Sequence, residues 1–313
     1  MKPVLFAGTR PYGRAENISA LYNTYEGEKQ YLGIYDYDQF IKINDKDYDI
    51  MIIDEFPRRF AKKNILIWHA IQGGKYIGYD QPKPYIDKSL TDKIDYVIAA
   101  STQSIPMWMS CTQLPQERIL SLGMPRTDEF IGKTKGDGHT LLAQSRSYLY
   151  VPTFRELDEP NNFHLDFDWL DNHLNDNEIF AVKSHMRSNQ MLHKQYRHII
   201  EIASSEPSNP YLYDCDIVIT DYSSIIFDGY LLGKPAILFE KQKGYTQYRG
   251  MYMKYPEEYS SKYATNEEEL LTLLRSTHEL TSIEYEVIAQ TANNCDGHSC
   301  ERICRLINQL KNN

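Results

Sequence analysis

The sequence predicts an α/β protein with two Rossmann-like domains that face each other across a cleft. Short apolar runs rich in β-branched residues recur along the chain, as buried parallel strands require. Most of these runs end in a polar turn that leads into a helical stretch, which is the order of a doubly wound sheet. A polar, glycine-containing stretch at residues 132–147 separates two such series. We therefore predict an N-terminal domain over residues 1–135, a C-terminal domain over 148–290, and a terminal helix within 291–313 that packs back across both.

Composition and charge limit the class of protein. The chain has 313 residues, enough for two domains of roughly 100–200 residues each. Its formal net charge of −9 argues against a dedicated nucleic-acid-binding protein, whose surface is usually basic. No run approaches the ~18 apolar residues of a membrane-spanning helix, and the N-terminus has no signal-type apolar core. We expect a cytoplasmic protein.

The most basic stretch of the chain, residues 57–63, leaves a membrane contact open. One interpretation is a solvated helix face. The other is contact with an anionic membrane surface or a polyanionic acceptor. The second interpretation would place the protein at the inner face of the plasma membrane.

The five cysteines are an odd number, which does not indicate a disulfide framework. Cys295, His298, Cys300 and Cys304 are close enough in sequence to consider zinc. Their spacing matches no familiar zinc finger, and the last two fall on a predicted helix. We expect reduced thiols, and neither a metal nor a cofactor.

Five strands are predicted in the first domain, at residues 3–7, 49–54, 64–69, 95–100 and 119–123. The turn after the first strand carries Arg10 and Arg14, which could face an anion, but it contains no GxGxxG dinucleotide fingerprint. Asn17 is expected to cap the helix that follows. His69 ends the third strand shortly before a Gly-Gly turn, where a histidine is either structural or catalytic. Arg126 lies in the polar turn after the last strand.

Four strands are predicted in the second domain, at residues 148–151, 179–183, 216–220 and 236–239. Arg155 lies in the turn after the first of them, and His185 follows the second. Arg249 lies in a loop after the fourth strand. Helices are expected at residues 167–174 and 225–232, after an acidic cap at 265–269, and at 299–310.

The turn at residues 220–224 is the most informative feature of the second domain. Four of its side chains are hydroxyls (Thr220, Tyr222, Ser223 and Ser224) and the fifth is the carboxylate of Asp221. It lies where a strand's carboxyl end leads into a helix, which is a common place for phosphate to bind. An ordinary serine or aspartate helix cap has the same residues, so both interpretations remain open.

These strand-end residues together suit transfer from an activated phosphate compound without a metal. His69 would come from one domain, and His185, Arg249 and the 220–224 turn from the other. Hydroxyls and an arginine would hold a diphosphate, while the histidines handle protons and developing charge. The chain has no P-loop of the form GxxxxGK[ST], which argues against NTPase chemistry.

The same residues resemble the CDP-glycerol glycerophosphotransferase family, the polymerases and primases of teichoic-acid and related capsule synthesis. The matching segments occur in family order over most of the chain, and the TDYSS turn followed by Phe227 and Asp228 is the most specific. They are residues 17–22, 68–69, 123–128, 151–155, 183–185, 220–224, 227–228, 248–250 and 296–297. The resemblance implies a two-domain fold of GT-B type and covers the catalytic core.

Roles for individual residues follow from this resemblance. His69 is expected to deprotonate the acceptor hydroxyl, and His185 to lie near the donor phosphates. The donor diphosphate is expected to bind Thr220, Asp221, Ser223, Ser224, Arg249 and Arg155, although Asp221 and Asp228 are better suited to holding the turn and its helix. Acceptor or anion contacts are expected from Arg10, Arg14 and Arg126.

The implied reaction is attack of an acceptor hydroxyl on the β-phosphorus of CDP-glycerol, with release of CMP. No metal is expected to take part. The acceptor would be a glycan or a lipid-linked molecule. The chain departs from the family pattern at Ala70, Ile71 and Gln72, where Gly-Thr-Pro is usual, and at Met186, where proline is common. The polyol, glycerol or ribitol, therefore stays open. Two alternatives remain. One is a metal-independent nucleotide-sugar glycosyltransferase or epimerase of the same fold, and the other is a non-catalytic nucleotide-binding relative.

Overall fold

The computed structural model describes residues 2–8, 16–33, 44–55, 61–84, 86–153, 164–185, 192–241 and 249–312. The chain divides into two compact units. The first contains Met1–Ile131 together with Ala289–Asn313, and the second contains Gly132–Ile288. Each unit is built on its own six-stranded sheet, and every strand pair within the two sheets is parallel.

The first sheet has the strand order β2-β1-β3-β4-β5-β6. Its strands are β1 (Val4–Gly8), β2 (Lys29–Gly33), β3 (Ile50–Ile53), β4 (Lys63–Leu66), β5 (Tyr96–Ala99) and β6 (Ile119–Ser121). The α-helices among the described residues of this half of the chain are α1 (Glu16–Thr24), α2 (Lys88–Thr91) and α3 (Ile105–Thr112). Short 3-10 helices lie at Asp45–Asp47, Gly78–Asp80, Gln116–Arg118 and Pro125–Phe130.

The second sheet has the order β12-β11-β10-β7-β8-β9. Its strands are β7 (Arg146–Tyr150), β8 (Glu178–Lys183), β9 (Ile199–Ile202), β10 (Ile217–Thr220), β11 (Ala236–Phe239) and β12 (Tyr263–Ala264). A 3-10 helix at Leu141–Gln144 precedes β7. The remaining α-helices in the part of the chain that the structure describes are α4 (Phe167–His173), α5 (Asn209–Asp214), α6 (Ile225–Leu231), α7 (Glu267–Ser276), α8 (Ser282–Ala292) and α9 (Ser299–Asn312).

The central strands are apolar because both faces of a parallel sheet are covered. All residues of β1, β3, β10 and β11 are buried. In the second unit, α6 packs closely on β10, since a Cβ atom at Gly229 would lie 3.0 Å from the Val218 side chain. Glycine at this position therefore lets the helix lie against the strand that carries the predicted turn.

The C-terminal helix α9 is fixed to the first unit by a carboxylate. Asp128 accepts hydrogen bonds from the backbone N–H groups of Ser299 (2.9 Å) and Cys300 (2.7 Å), which are in the first turn of α9. This capping satisfies N–H groups that have no partner inside the helix. The chain thus returns to the unit in which it begins.

The predicted α/β class with Rossmann-like sheets is confirmed, and each of the nine predicted strands overlaps a strand of the structure. Three strands were missed, namely β2, β9 and β12. The expected cap at Asn17 is wrong, because α1 already includes Glu16 and the Asn17 side chain bonds elsewhere. Within the described ranges, no helix is long and apolar enough to cross a membrane.

Candidate active site

The switch point of the second sheet is the place where β7 and β10 lie side by side. Tyr150 is opposite Ile219, and the following residue, Val151, donates its N–H to the Ile219 carbonyl at 2.8 Å. From β7 the chain continues to β8 on one side, and from β10 to β11 on the other. Ligands of doubly wound sheets bind in the crevice that such diverging connections leave at the carboxyl edge. The 220–224 turn begins at this crevice.

Thr220 and Asp221 join the ends of the two strands. The Thr220 hydroxyl donates to the Val151 carbonyl at 2.6 Å, and its side chain is 0% exposed. One carboxylate oxygen of Asp221 accepts the backbone N–H groups of Thr153 (2.7 Å) and Tyr222 (2.6 Å). Both side chains therefore form hydrogen bonds that hold the turn in place. This is the structural role expected for Asp221. A direct contact of either with a donor stays a prediction.

Ser223 and Ser224 are the partly exposed residues of the turn, since Thr220, Asp221 and Tyr222 are buried. Ser224 precedes α6, but its side chain makes no capping hydrogen bond. The Ser223 hydroxyl accepts the Ile225 N–H only at 3.5 Å, at the limit of a hydrogen bond. The helix-cap interpretation therefore receives little support, and the two hydroxyls are the groups of this turn that a ligand can reach.

His185 lies at the same edge of the sheet, after β8, which is the neighbour of β7. It is exposed, whereas the two preceding residues, Lys183 and Ser184, are buried. The Lys183 ammonium donates to the carbonyl oxygens of Ala203 (3.2 Å) and Ser204 (3.3 Å). This buried lysine fixes the end of β8 and thereby the backbone from which His185 projects.

Of the two arginines predicted to bind the donor, the structure describes Arg249 but not Arg155. Arg249 is half-buried and lies after the undescribed part of its loop. Arg155 lies outside the described residues, as do Arg10 and Arg14 of the first unit. Their contacts with phosphate or with an acceptor stay predictions.

His69 lies at the carboxyl edge of the first sheet, three residues after the end of β4. From 64 to 74, all of which the structure describes, only His69 is exposed, and its side chain is 42% accessible. Its Nδ1 atom is 3.9 Å from Oε1 of Glu55, which follows the adjacent strand β3. Its ring lies against Trp68, with the ring centroids 4.8 Å apart. An exposed imidazole held between buried neighbours and beside a carboxylate is well placed to accept a proton from a ligand.

Arg126 is 4% exposed and therefore lies inside the first unit. Its backbone N–H donates to Oδ1 of Asn17 at 3.1 Å, and the Nδ2 group of Asn17 donates to the Trp68 carbonyl at 2.8 Å. A contact between Arg126 and an acceptor stays a prediction. What the structure does show is that the polar turn containing Arg126 is joined to the segment containing His69.

Sequence reasoning missed the contributions of Glu55 and Lys183 to these sites. Glu55 lies two residues after the apolar strand β3, which pairs with β4, the strand that leads to His69. The order of the two strands along the chain was therefore the one indication in the sequence that Glu55 and His69 would be neighbours. Lys183 lies next to the Ser184 and His185 pair in the motif, but its backbone partners lie 20 and 21 residues away. Nothing local in the sequence indicates those partners.

The five cysteines are free thiols. Burial raises the pKa of Cys300 to about 12, and its Sγ donates to the Pro125 carbonyl. Cys215 is buried in the same way, with its pKa raised to about 12. Among the described residues, no group of three or more His, Cys, Asp and Glu side chains is arranged to hold a metal ion.

The two parallel six-stranded sheets, each in its own unit, place the chain in the GT-B fold class, whose members combine two Rossmann-like units. The chain belongs to the CDP-Glycerol:Poly(glycerophosphate) glycerophosphotransferase family, whose model matches residues 41–309. It is accordingly a transferase. The family expected from the motifs is confirmed.

Relatives agree with this membership. The chain is 26% identical over 292 residues to the teichoic acid ribitol-phosphate primase of Bacillus spizizenii, a match that covers 83% of this chain and 75% of the primase. It is 23% identical over 242 residues to the teichoic acid glycerol-phosphate transferase of Staphylococcus aureus, covering 70% of this chain and 62% of that protein. The solved structure of the wall teichoic acid polymerase TagF superimposes with a TM-score of 0.78 at 18% identity, over 99% of this chain and 89% of that one. This last likeness shows the fold.

Proposed function

We propose that this protein transfers glycerol phosphate, or a related polyol phosphate, from a CDP-activated donor to a hydroxyl group of a glycan or lipid-linked acceptor, in teichoic-acid or capsule-type polymer synthesis. The observation that carries the proposal is the serine pair Ser223 and Ser224, partly exposed at the switch point of the second sheet in a member of the glycerophosphotransferase family. Relatives named for glycerol-phosphate and ribitol-phosphate transfer support the same reaction type.

The donor diphosphate would bind at the turn. The hydroxyls of Ser223 and Ser224 would donate to phosphate oxygens, while Thr220 and Asp221 keep the turn attached to the end of β7. Arg249 and Arg155 would supply positive charge. Hydrogen bonds to charged phosphate oxygens are stronger than those between neutral groups, so two such donors contribute substantially to binding.

In the reaction, the acceptor oxygen forms a bond to the β-phosphorus of the donor. The bond between that phosphorus and the bridging oxygen breaks, and CMP leaves with the bridging oxygen. His69 would take the proton of the acceptor hydroxyl. His185 would stabilise the negative charge that spreads over the phosphate oxygens, and positioning with such stabilisation provides most of the catalysis in phosphoryl transfer.

The reaction is proposed to need no metal. The direct test is turnover after exhaustive treatment with a chelator, compared with turnover after addition of Mg²⁺ or Mn²⁺. Unchanged rates agree with the proposal. Loss on chelation that is restored by a divalent cation would contradict it.

The transferred polyol and the acceptor are further parts of the proposal. The relatives include enzymes named for glycerol phosphate and for ribitol phosphate, and Ala70, Ile71 and Gln72 replace the family's usual residues after the histidine. The cytoplasmic location and a peripheral contact with the inner membrane face stay predictions, since residues 57–60 of the basic stretch lie outside the described residues.

A donor panel tests the function. The purified protein is incubated with CDP-glycerol, CDP-ribitol or UDP-sugars and with hydroxyl acceptors, and the nucleotide product is identified by mass spectrometry. Release of CMP with a mass gain of one polyol phosphate on the acceptor is expected. Release of CDP or UDP would instead indicate sugar transfer and would contradict the proposal.

A further inference from the structure

Asn17 contacts two distant segments of the first unit through the two ends of one side-chain amide. Nδ2 donates to the Trp68 carbonyl at 2.8 Å, and Oδ1 accepts the Arg126 N–H at 3.1 Å. The side chain is 2% exposed, so both hydrogen bonds are protected from water. Trp68 is the residue directly before His69, and Arg126 lies in the 3-10 helix Pro125–Phe130 that follows β6.

The partners determine the orientation of this amide. The Trp68 carbonyl can only accept and the Arg126 N–H can only donate, so the nitrogen of Asn17 must face the first and the oxygen the second. Aspartate has no N–H for the carbonyl, and alanine would leave both buried backbone groups without this partner. A buried polar group that loses its partner is costly, so the position is specific for an amide.

The restraint acts on the backbone that carries His69. β4 ends at Leu66, and the next residue, Ile67, still donates its N–H to the Ile53 carbonyl of β3 at 2.7 Å. The Asn17 contact falls two peptide groups further along, on the Trp68 carbonyl, whose carbon is bonded to the nitrogen of His69. Movement of this peptide group would turn the exposed imidazole relative to Glu55.

We infer that Asn17 is a positioning residue for His69 and sets the direction in which the imidazole faces the acceptor hydroxyl. This inference rests on the proposed role of His69 as the base. Small displacements of a catalytic group reduce turnover strongly while leaving substrate affinity nearly unchanged, because a bound reactant pair must be aligned to react. Asn17 does not need to contact any substrate.

Asn64 provides a matched control on the opposite end of the same strand. It is also 2% exposed, and its amide is likewise occupied by backbone groups: Nδ2 donates to the Ala61 and Lys93 carbonyls, and Oδ1 accepts the Ala61 N–H. Asn64→Ala therefore removes comparable buried hydrogen bonds from the same unit, at the amino end of β4. A purely structural role predicts similar consequences for the two substitutions.

The test compares Asn17→Ala, Asn17→Asp and Asn64→Ala with the unaltered protein. All three should lower the unfolding temperature. Only the Asn17 variants should lower kcat, by tenfold or more, with the calorimetric Kd for CDP-glycerol within twofold. If Asn17→Ala keeps kcat within twofold of Asn64→Ala, or if Asn17→Asp keeps full kcat, the inference is wrong. Asn17→Ser, which keeps a hydroxyl at this position, is the second variant if the alanine variant does not fold, and full kcat in it would also contradict the inference.

A measurement without turnover separates this inference from the proposed function. The His69 ring resonances, assigned by NMR with the His69→Ala variant, should shift in the Asn17 variants and not in Asn64→Ala. Unshifted resonances would overturn the positioning role. If His69→Ala retains normal CMP release, the proposed base is wrong, whereas loss of release in His69→Ala together with normal kcat in Asn17→Ala would remove only the role of Asn17.

Discussion

The carboxylate of Asp221 accepts the backbone N–H of Thr153 at 2.7 Å, across 68 residues of sequence. The hydrogen bond crosses the switch point of the second sheet, because Thr153 follows β7 and Asp221 follows β10. The same oxygen accepts the Tyr222 N–H. One side chain therefore holds the start of the serine turn against the end of the neighbouring strand.

Asp221→Ala should destabilise the second unit and also weaken donor binding. Two backbone N–H groups lose their acceptor, and a loss of about 1–3 kcal/mol in the free energy of unfolding is expected. The Kd for CDP-glycerol should rise because the serine pair is no longer held in place. Urea unfolding and calorimetry measure the two effects, and a stable variant with unchanged Kd would contradict the role of Asp221.

Thr220→Val tests whether Thr220 itself contacts the donor. Valine matches the shape of threonine but removes the hydroxyl that donates to Val151, so stability should fall by about 1 kcal/mol. If the hydroxyl only holds the turn, the Kd for CDP-glycerol should change less than threefold. A rise of tenfold or more, at a comparable loss of stability, would show that Thr220 binds the donor directly.

The double variant Ser223→Ala with Ser224→Ala should weaken donor binding by tenfold or more. Its stability should stay within about 0.5 kcal/mol, since substitutions at partly exposed positions have small effects. Ser204→Ala with Ser205→Ala is the matched control, a second adjacent pair located after the edge strand β9. Equal calorimetric affinities for the two double variants would remove the donor assignment.

His69→Ala should reduce turnover by at least a hundredfold, the typical contribution of a general base. The donor Kd should stay close to that of the unaltered protein, because donor binding is assigned to the second unit. His298→Ala, at a strongly exposed histidine of the first unit, is the control and should keep full turnover. Near-normal turnover in His69→Ala would exclude the base role.

Glu284 should make the protein sensitive to acid. Burial alone would raise the pKa of this carboxyl, but hydrogen bonds from Thr281 and Ser261 outweigh burial and lower the pKa from 4.5 to about 2. A carboxyl whose pKa is lowered in the folded state stabilises that state at pH values above the pKa of the unfolded chain. This contribution, on the order of 3 kcal/mol, should be lost as the pH falls from about 4.5 towards 2.

Chemical denaturation between pH 7 and pH 2 measures this effect. Glu284→Gln should be less stable at pH 7 and should lose stability less steeply in the acid range. Glu286→Gln, at an exposed position of the same helix, should behave like the unaltered protein. Parallel pH profiles for the Glu284 variant and the unaltered protein would show that other groups dominate acid unfolding.

The three strands that the sequence did not reveal are all edge strands, although the fourth edge strand, β6, was predicted. β2 is an edge strand of the first sheet, and β9 and β12 are the two edges of the second. Edge strands are paired on one side only and are less covered, and β2 has a single buried residue, Leu32. Their apolar pattern is therefore weak, whereas central strands such as β3 and β10 are continuous apolar runs.

The order of strand, polar turn and helix was determined by the sequence alone, because β-branched runs, capping residues and glycine act over a few neighbouring residues. The same local patterns placed His69, His185 and the 220–224 turn at strand ends. Which side chains face solvent and which hold the backbone was decided by the tertiary structure. Asn17 reaches Trp68 across 51 residues and Asp221 reaches Thr153 across 68, and such hydrogen bonds depend on which strands become neighbours. That choice is made by the packing of a whole sheet, so the structural roles of Thr220 and Asp221 could be distinguished from those of Ser223 and Ser224 only in the folded second sheet.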